Sequence, residues 1–263
     1  MDAAHAFVVP AFGRPHWLAD CVASLQQQTV RSRILITTST PNEHIARVAD
    51  RAGIEVRVNP TPAGIAADWN FALAVAPAGW VTLAHQDDWY APTYTERCLM
   101  AATASRAPLM VFSSALARTT DDAEAQHPRI KRLLCEMAFL GQPTIGAPWR
   151  KRLLLSFGDP VPCPTVMLNR ALRPDFFFPS GFDAALDWAA WLELAGQPGE
   201  FVYVRERLVH LRVHPSSATH VHLASRKEED ERILKSLWPG PIASLIGRLY
   251  AAGLRKYENR HRE

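Results

Sequence analysis

The chain has 263 residues, 48% of them hydrophobic and 21% charged, which is the composition of a soluble globular protein able to bury the core of one large domain. A net charge of +3 and a pI of about 8.8 fall short of the clustered basic face that nucleic acid requires, so no nucleic-acid partner is expected. No stretch approaches the roughly 20 apolar residues that cross a bilayer, and the opening residues lack the pattern of a signal peptide. Cys21, Cys98, Cys135 and Cys163 form neither a CxxC pair nor a disulfide framework, so a reducing cytoplasm is the expected setting.

In chain order, Ala6–Phe12 is an apolar run of strand length, and Trp17, Leu18, Cys21, Val22 and Leu25 then recur at helical spacing. Arg33–Thr38 reads as a second strand. Thr40-Pro41-Asn42-Glu43 reads as a capping box with Thr40 as N-cap. Ile54–Val58 is a third strand, Ala66–Ala76 a helix and Trp80–His85 a fourth strand. This alternation predicts a mostly parallel sheet with helices on both faces.

The second half is less regular. Ala117–His127 reads as a polar surface loop, and Arg129–Phe157 as a basic, apolar stretch. The two prolines of Val161–Leu168 confine that extended segment to an edge or a bent path. Ala184–Leu194 is a Trp-rich helix; Phe201–Val204 and Arg207–Val213 are strands, read as a hairpin. Leu223–Leu237 and Ile242–Tyr257 are helices.

Ligands on such sheets sit beyond the carboxyl ends of the strands, which directs attention to Phe12–Arg14, Thr38–Thr40, Asn59–Gly64 and His85–Asp88. Of these, His85-Gln86-Asp87-Asp88-Trp89-Tyr90 carries the most chemistry. Adjacent carboxylates repel, and a divalent cation relieves that repulsion because Mg²⁺ and Mn²⁺ favour carboxylate oxygens. An exposed turn or helix cap would also use an Asp pair; its place after the fourth strand favours the metal.

The blocks VVPAFGRPHWLADCVASLQQQT, RILITTSTPNE, NPTPAGIAADWNFAL and VTLAHQDDWY, continuous over about residues 6–95, together resemble a family-2 glycosyltransferase of the GT-A fold. The nearest likeness is to the bacterial branch whose metal motif is HQDD followed by an aromatic residue. The resemblance implies one GT-A domain with a Rossmann-like sheet and an α+β acceptor-side half. Residues 1–115 would bind the nucleotide-sugar, 116–222 would complete the acceptor side, and 223–263 would form C-terminal helices. It implies an inverting transferase that moves a sugar from a nucleotide-sugar donor, a UDP-sugar by family habit, to a glycan or lipid-linked glycan in surface-polysaccharide or lipopolysaccharide assembly.

Carried over by the same resemblance, Asp88 holds Mn²⁺ or Mg²⁺ and Asp87 faces the ribose or shares the ion. Pro10, Phe12 and Arg14 lie against base and ribose, and Asn70 matches a frequent asparagine near the donor. Where the family has a base-gripping aspartate, at the end of strand two, this chain has Thr37-Thr38-Ser39-Thr40, so Thr38 is the candidate contact and the nucleotide is open. An inverting transferase needs a base for the acceptor hydroxyl. Asp187 is the candidate, with Asp183, one turn earlier, the rival and a plain N-cap the bland alternative. Arg212 and His214 share one strand face, suited to a diphosphate and its metal. Cys163 is read as packing; Trp188 and Trp191 suit either a sugar platform or the core. The stretch Ile242–Arg262 suits packing on the domain first and an anionic membrane surface second. A nucleotidyltransferase is disfavoured because Ala11–Pro15 holds a single glycine, and a silent GT-A-like scaffold is the remaining alternative.

Overall fold

The computed structural model describes residues 4–61, 64–119, 127–214 and 223–259. The strands are β1 (His5–Ala11), β2 (Arg33–Thr38), β3 (Glu55–Val58), β4 (Trp80–Leu83), β5 (Trp89–Tyr90), β6 (Pro108–Thr119), β7 (Thr144–Ile145), β8 (Val166–Asn169) and β9 (Glu200–Val213). The helices are α1 (Leu18–Gln26), α2 (Glu43–Ala52), α3 (Ile65–Ala74), α4 (Tyr94–Thr103), α5 (His127–Phe139), α6 (Pro148–Leu154), α7 (Leu186–Ala195), α8 (Leu223–Leu237) and α9 (Gly240–Asn259).

The strands form one sheet in the order β3-β2-β1-β4-β8-β6-β9-β5, with β7 also paired to β9. β1, β2, β3, β4, β6 and β9 run in one direction, while β8, β5 and β7 oppose them. Period-two alternation splits the side chains between two cores. Val8, Leu35, Val81 and Phe112 point to one face, where α3 and α5 to α9 pack. Phe7, Val9, Ile36 and Val111 point to the other, covered by α1, α2 and α4. Strands covered on both faces are apolar throughout, as β1 and β2 are.

Two sequence expectations are corrected and a third is narrowed. Asn42, not Thr40, caps α2: its side chain accepts from the His44 and Ile45 amides at 3.0 and 3.1 Å. The Thr40 hydroxyl instead accepts from the Gly13 amide at 2.7 Å. Second, Phe201–Val213 is no hairpin but part of one long strand parallel to β6. Its register shifts opposite Ser113–Ala115, where Arg205 and Glu206 leave the ladder to pair with Glu136 at 2.9 Å and Arg97 at 3.4 Å. That charged interruption is a bulge. Third, of the edge and the bent path expected for Val161–Leu168, the chain takes the bent path. The two prolines lie before and within a 3-10 turn at Cys163–Thr165, and β8 then enters the sheet interior between β4 and β6. Ala117–Thr119 extends β6 rather than beginning a loop; residues 120–126 lie outside the described residues.

Candidate active site

The site forms where β1, β2 and β4 end. Gly13, with φ 66°, turns the chain in the left-handed region that glycine adopts without strain. Its amide is held by Thr40, and its carbonyl accepts from the Asn42 amide nitrogen at 2.7 Å. The neighbouring Phe12 amide donates to Gln86 Oε1 at 2.8 Å. Three loops are thus tied together, and Phe12 is presented with 63% of its surface exposed.

β5 is short, but its pairing with His210 and Val209 of β9 zips His85–Tyr90 against the end of β9. This juxtaposition brings together residues more than a hundred positions apart. Asp88, 5% exposed, accepts from the Arg212 amide at 3.0 Å. Asp87 Oδ2 lies 2.8 Å from His214 Nε2. Trp17 underlies both partners: the Arg212 guanidinium stands 4.9 Å from its ring and the His214 ring 4.5 Å from it. Arg212 Nη1 is enclosed without a hydrogen-bond partner, with Asp20 Oδ2 at 3.8 Å.

The two carboxylates behave oppositely. Burial, and then the charge of Asp87, pushes the Asp88 carboxyl well above the usual range. Burial opposes ionisation of Asp87 too, but the His214 hydrogen bond and the neighbouring imidazoles hold it below its ordinary value. A cation between them would offset both the repulsion of the pair and the cost of burying Asp88. His85, absent from the sequence-based set, completes the arrangement. Single ligand atoms of His85, Asp87 and Asp88 lie within 4.8 Å of one another, and His85 Nε2 is enclosed without a partner. Carboxylate oxygens with one imidazole nitrogen suit Mn²⁺ or Mg²⁺, so the residues fit a divalent ion.

Asp187 stands in the first turn of α7. The helix starts at Leu186, so Asp183 precedes it, and Ala185 at the N-cap offers no side-chain cap. Glu229 of α8 instead braces the turn that leads into the helix: its carboxylate accepts from the Asp183, Ala184 and Ala185 amides at 2.9, 2.9 and 2.8 Å. The Asp187 carboxyl is hydrogen-bonded to that of Asp159, which burial and the Asp187 charge push well above the usual range. The buried Cys163 thiol, raised first by burial, also feels Asp187, Asp159 and Asp88, which places it between the two acidic groups.

The sequence model of Glycosyl transferase family 2 matches residues 6–165. The chain belongs to that family. No curated protein matches it. Among solved structures, the S. aureus protein TarS, residues 1–349 in complex with UDP-GlcNAc, superposes with a TM-score of 0.66 at 12% identity, covering 94% of this chain and 70% of that one. The mannosyltransferase PcManGT from Pyrobaculum calidifontis, in complex with GDP-Man and Mn²⁺, gives 0.62 at 12% identity, covering 96% and 71%. At that identity the likeness establishes the GT-A fold.

In this glycosyltransferase the structure brings Asp87, Asp88, Arg212 and His214 together, with the Phe12 amide tied to Gln86 next to Asp87. Pro10 pairs within β1 to Thr37, and Arg14 is exposed on the rim. Thr38 is buried, its hydroxyl accepting from the Thr40 amide at 3.0 Å. Asn70 is engaged elsewhere: its amide nitrogen donates to the Phe178 carbonyl at 2.9 Å and its oxygen accepts from the Phe178 amide at 2.7 Å. Its neighbour Asp68 binds Ser39 at 2.7 Å and Asn59 at 2.8 Å, so a carboxylate does reach the end of β2, delivered by α3. The sugar-platform reading of Trp188 and Trp191 is overturned. They are 1% and 0% exposed, donating to the Leu155 and Val161 carbonyls in the core. Pro215–Ser217 lie outside the described residues.

Proposed function

We propose that this family-2 glycosyltransferase is an inverting, metal-dependent enzyme that transfers a sugar from a UDP-sugar to a hydroxyl of a glycan or lipid-linked glycan in cell-surface polysaccharide synthesis. The reading rests on one observation: β9 carries Arg212 and His214 against Asp87 and Asp88 beyond the end of β4, beside the exposed Phe12. Nucleotide-sugars in the named neighbours, UDP-GlcNAc in one and GDP-Man with Mn²⁺ in the other, support the donor class.

In this reading Phe12 stacks on the base, Pro10, Arg14 and Thr38 border base and ribose, and Asn70 braces the donor loop through Phe178. Asp88 and His214 hold Mn²⁺ or Mg²⁺, with His85 as an additional ligand and Asp87 shared with the ribose. A bound divalent ion supplies Lewis-acid stabilisation of the diphosphate leaving group. Arg212 contributes fixed positive charge where that leaving group gains its negative charge. Asp187 removes the proton of the acceptor hydroxyl as its oxygen attacks the anomeric carbon from the face opposite the diphosphate, which inverts the configuration. Asp159, hydrogen-bonded to Asp187, orients that carboxyl. The work is placed at the inner face of the plasma membrane, where α9 meets lipid-linked acceptors. Among the described residues no helix is long and apolar enough to cross a membrane.

The test is isothermal titration with UDP, with and without Mn²⁺, on the native chain and Asp88→Ala. Metal-dependent binding lost in the variant supports the donor site, and Asp187→Asn should then bind donor normally while losing about 10²–10⁴-fold in turnover. Binding of GDP but not UDP would keep the transferase and change the donor. Failure of every nucleotide with every metal would sink the reading in favour of a silent scaffold.

A further inference from the structure

The helices outside the sheet carry an apolar surface that the catalytic reading does not use. Of the fifteen exposed large hydrophobic side chains among the described residues, nine lie on or beside α5, α6 and α9. On α5, Leu133 and Met137 are 60% and 62% exposed at i and i+4, one helical face, and Leu140, just past the helix end, is 74% exposed. The opposite face, with Cys135 and Phe139, is buried in the core. On α6, Trp149 and Leu153 share a face while Lys151 and Leu154 turn inward. On α9, Leu245 and Leu249 point out while Ala243 and Ile246 pack on the core.

These helices are neighbours. The Arg150 guanidinium donates to the Ala138 carbonyl at 3.1 Å, joining α6 to the end of α5. Just past α6, Phe157 stacks at 5.5 Å on Trp238, and the Trp238 indole donates to Ser156, fixing the start of α9. α5 and α9 also pack on each other. Three outward apolar stripes therefore adjoin, beyond the scale of isolated surface hydrophobics.

Charge identifies the occupant. Besides the buried Lys151, residues 127–157 and 238–249 hold six lysines and arginines and one acid, Glu136, in a chain with a balance of only +3. Glu136 is already neutralised by Arg205 at 2.9 Å and Arg132 at 3.9 Å. Arg152 and Arg248 are exposed beside the stripes. A second copy of the chain would set arginine against arginine. An anionic lipid surface accepts both features, because tryptophan and arginine favour the interface and aliphatic side chains enter the acyl boundary.

We infer that α5, α6 and α9 together form a docking surface for an anionic bilayer, with Trp149 as its anchor. This extends the contact assigned to α9 across three helices and stands apart from the donor chemistry. The full chain should sediment with vesicles of phosphatidylcholine and phosphatidylglycerol but not with phosphatidylcholine alone, and should be released by salt. Trp149→Glu/Leu153→Glu should lower vesicle affinity at least tenfold, and Arg152→Glu/Arg248→Glu about fivefold or more. Leu245→Glu, on a different helix, should weaken it too. All these residues are exposed, so thermal unfolding should stay within a few degrees of the native chain. Asp88→Ala should bind vesicles normally, separating this inference from the catalytic one. Absence of anionic binding, equal binding to neutral vesicles, indifference to the variants, or a dimer in solution broken by Trp149→Glu would each overturn it.

Discussion

Replacing Glu229 with alanine removes the acceptor of three backbone amides in the turn that leads into α7, all within 2.9 Å. A net hydrogen bond to a charged group contributes about 1.5–3 kcal/mol; with three donors sharing one carboxylate and water entering on deletion, roughly 1 kcal/mol each is the fair figure. The helix N-terminus also loses a nearby negative charge worth about 0.3–1 kcal/mol. The expected loss is about 3 kcal/mol, or some 6–10 °C in Tm for a chain of this size. Glu229→Gln keeps a carbonyl acceptor and should lose about half as much. The charge of Glu229 also helps raise the Asp230 carboxyl, which burial chiefly pushes to about 6. Both variants relieve that repulsion, so the Gln–Ala difference isolates the hydrogen bonds. Differential scanning calorimetry measures the loss. Because Asp187 stands just past that turn, turnover should fall further than donor affinity. An alanine variant melting within about 2 °C of the native chain would refute the bracing argument.

Three further outcomes follow from particular residues. His5 is buried between Ser32 at 2.8 Å and Thr82 at 3.0 Å, and burial lowers its imidazole to about 3. The unfolded chain, titrating near 6.5, takes up its proton first, so stability is fully present above about pH 6.5 and is lost toward pH 3, by at most about 1.4 kcal/mol per unit; urea unfolding of His5→Gln at pH 7, 5.5 and 4.5 should show a flatter acid loss than the native chain. Phe12→Ala should weaken nucleotide binding about tenfold by titration with no change in Tm, since the ring is exposed. Gly199→Ala should cost about 2–3 kcal/mol in urea unfolding: φ is 120° and the new Cβ would lie 2.7 Å from Leu109 Cγ and 2.8 Å from the Ala107 carbonyl oxygen.

Much of the N-terminal half was legible because its signals are local. Covered strands such as Ala6–Ala11 and Arg33–Thr38 are continuous apolar runs, and the Asp87-Asp88 pair announces itself at a strand end. Where several local signals competed, sequence alone chose badly. Thr40 and Asn42 are both good caps, and only the approach of Gly13 takes the Thr40 hydroxyl away from α2. Arg205-Glu206 breaks an apolar run as a turn would, and only Glu136 and Arg97 make it a bulge.

By itself, then, the sequence determined the covered strands, the amphipathic helices and the acidic pair, since each depends on residues a few positions apart. The tertiary structure decided that Trp188 and Trp191 belong to the core and that Glu229 braces the turn before the helix of Asp187. It also decided that Arg212 and His214 meet Asp88 and Asp87 across more than a hundred residues. Those pairings arise from strand order and helix packing, which bring distant groups within 3 Å, and no local periodicity encodes them.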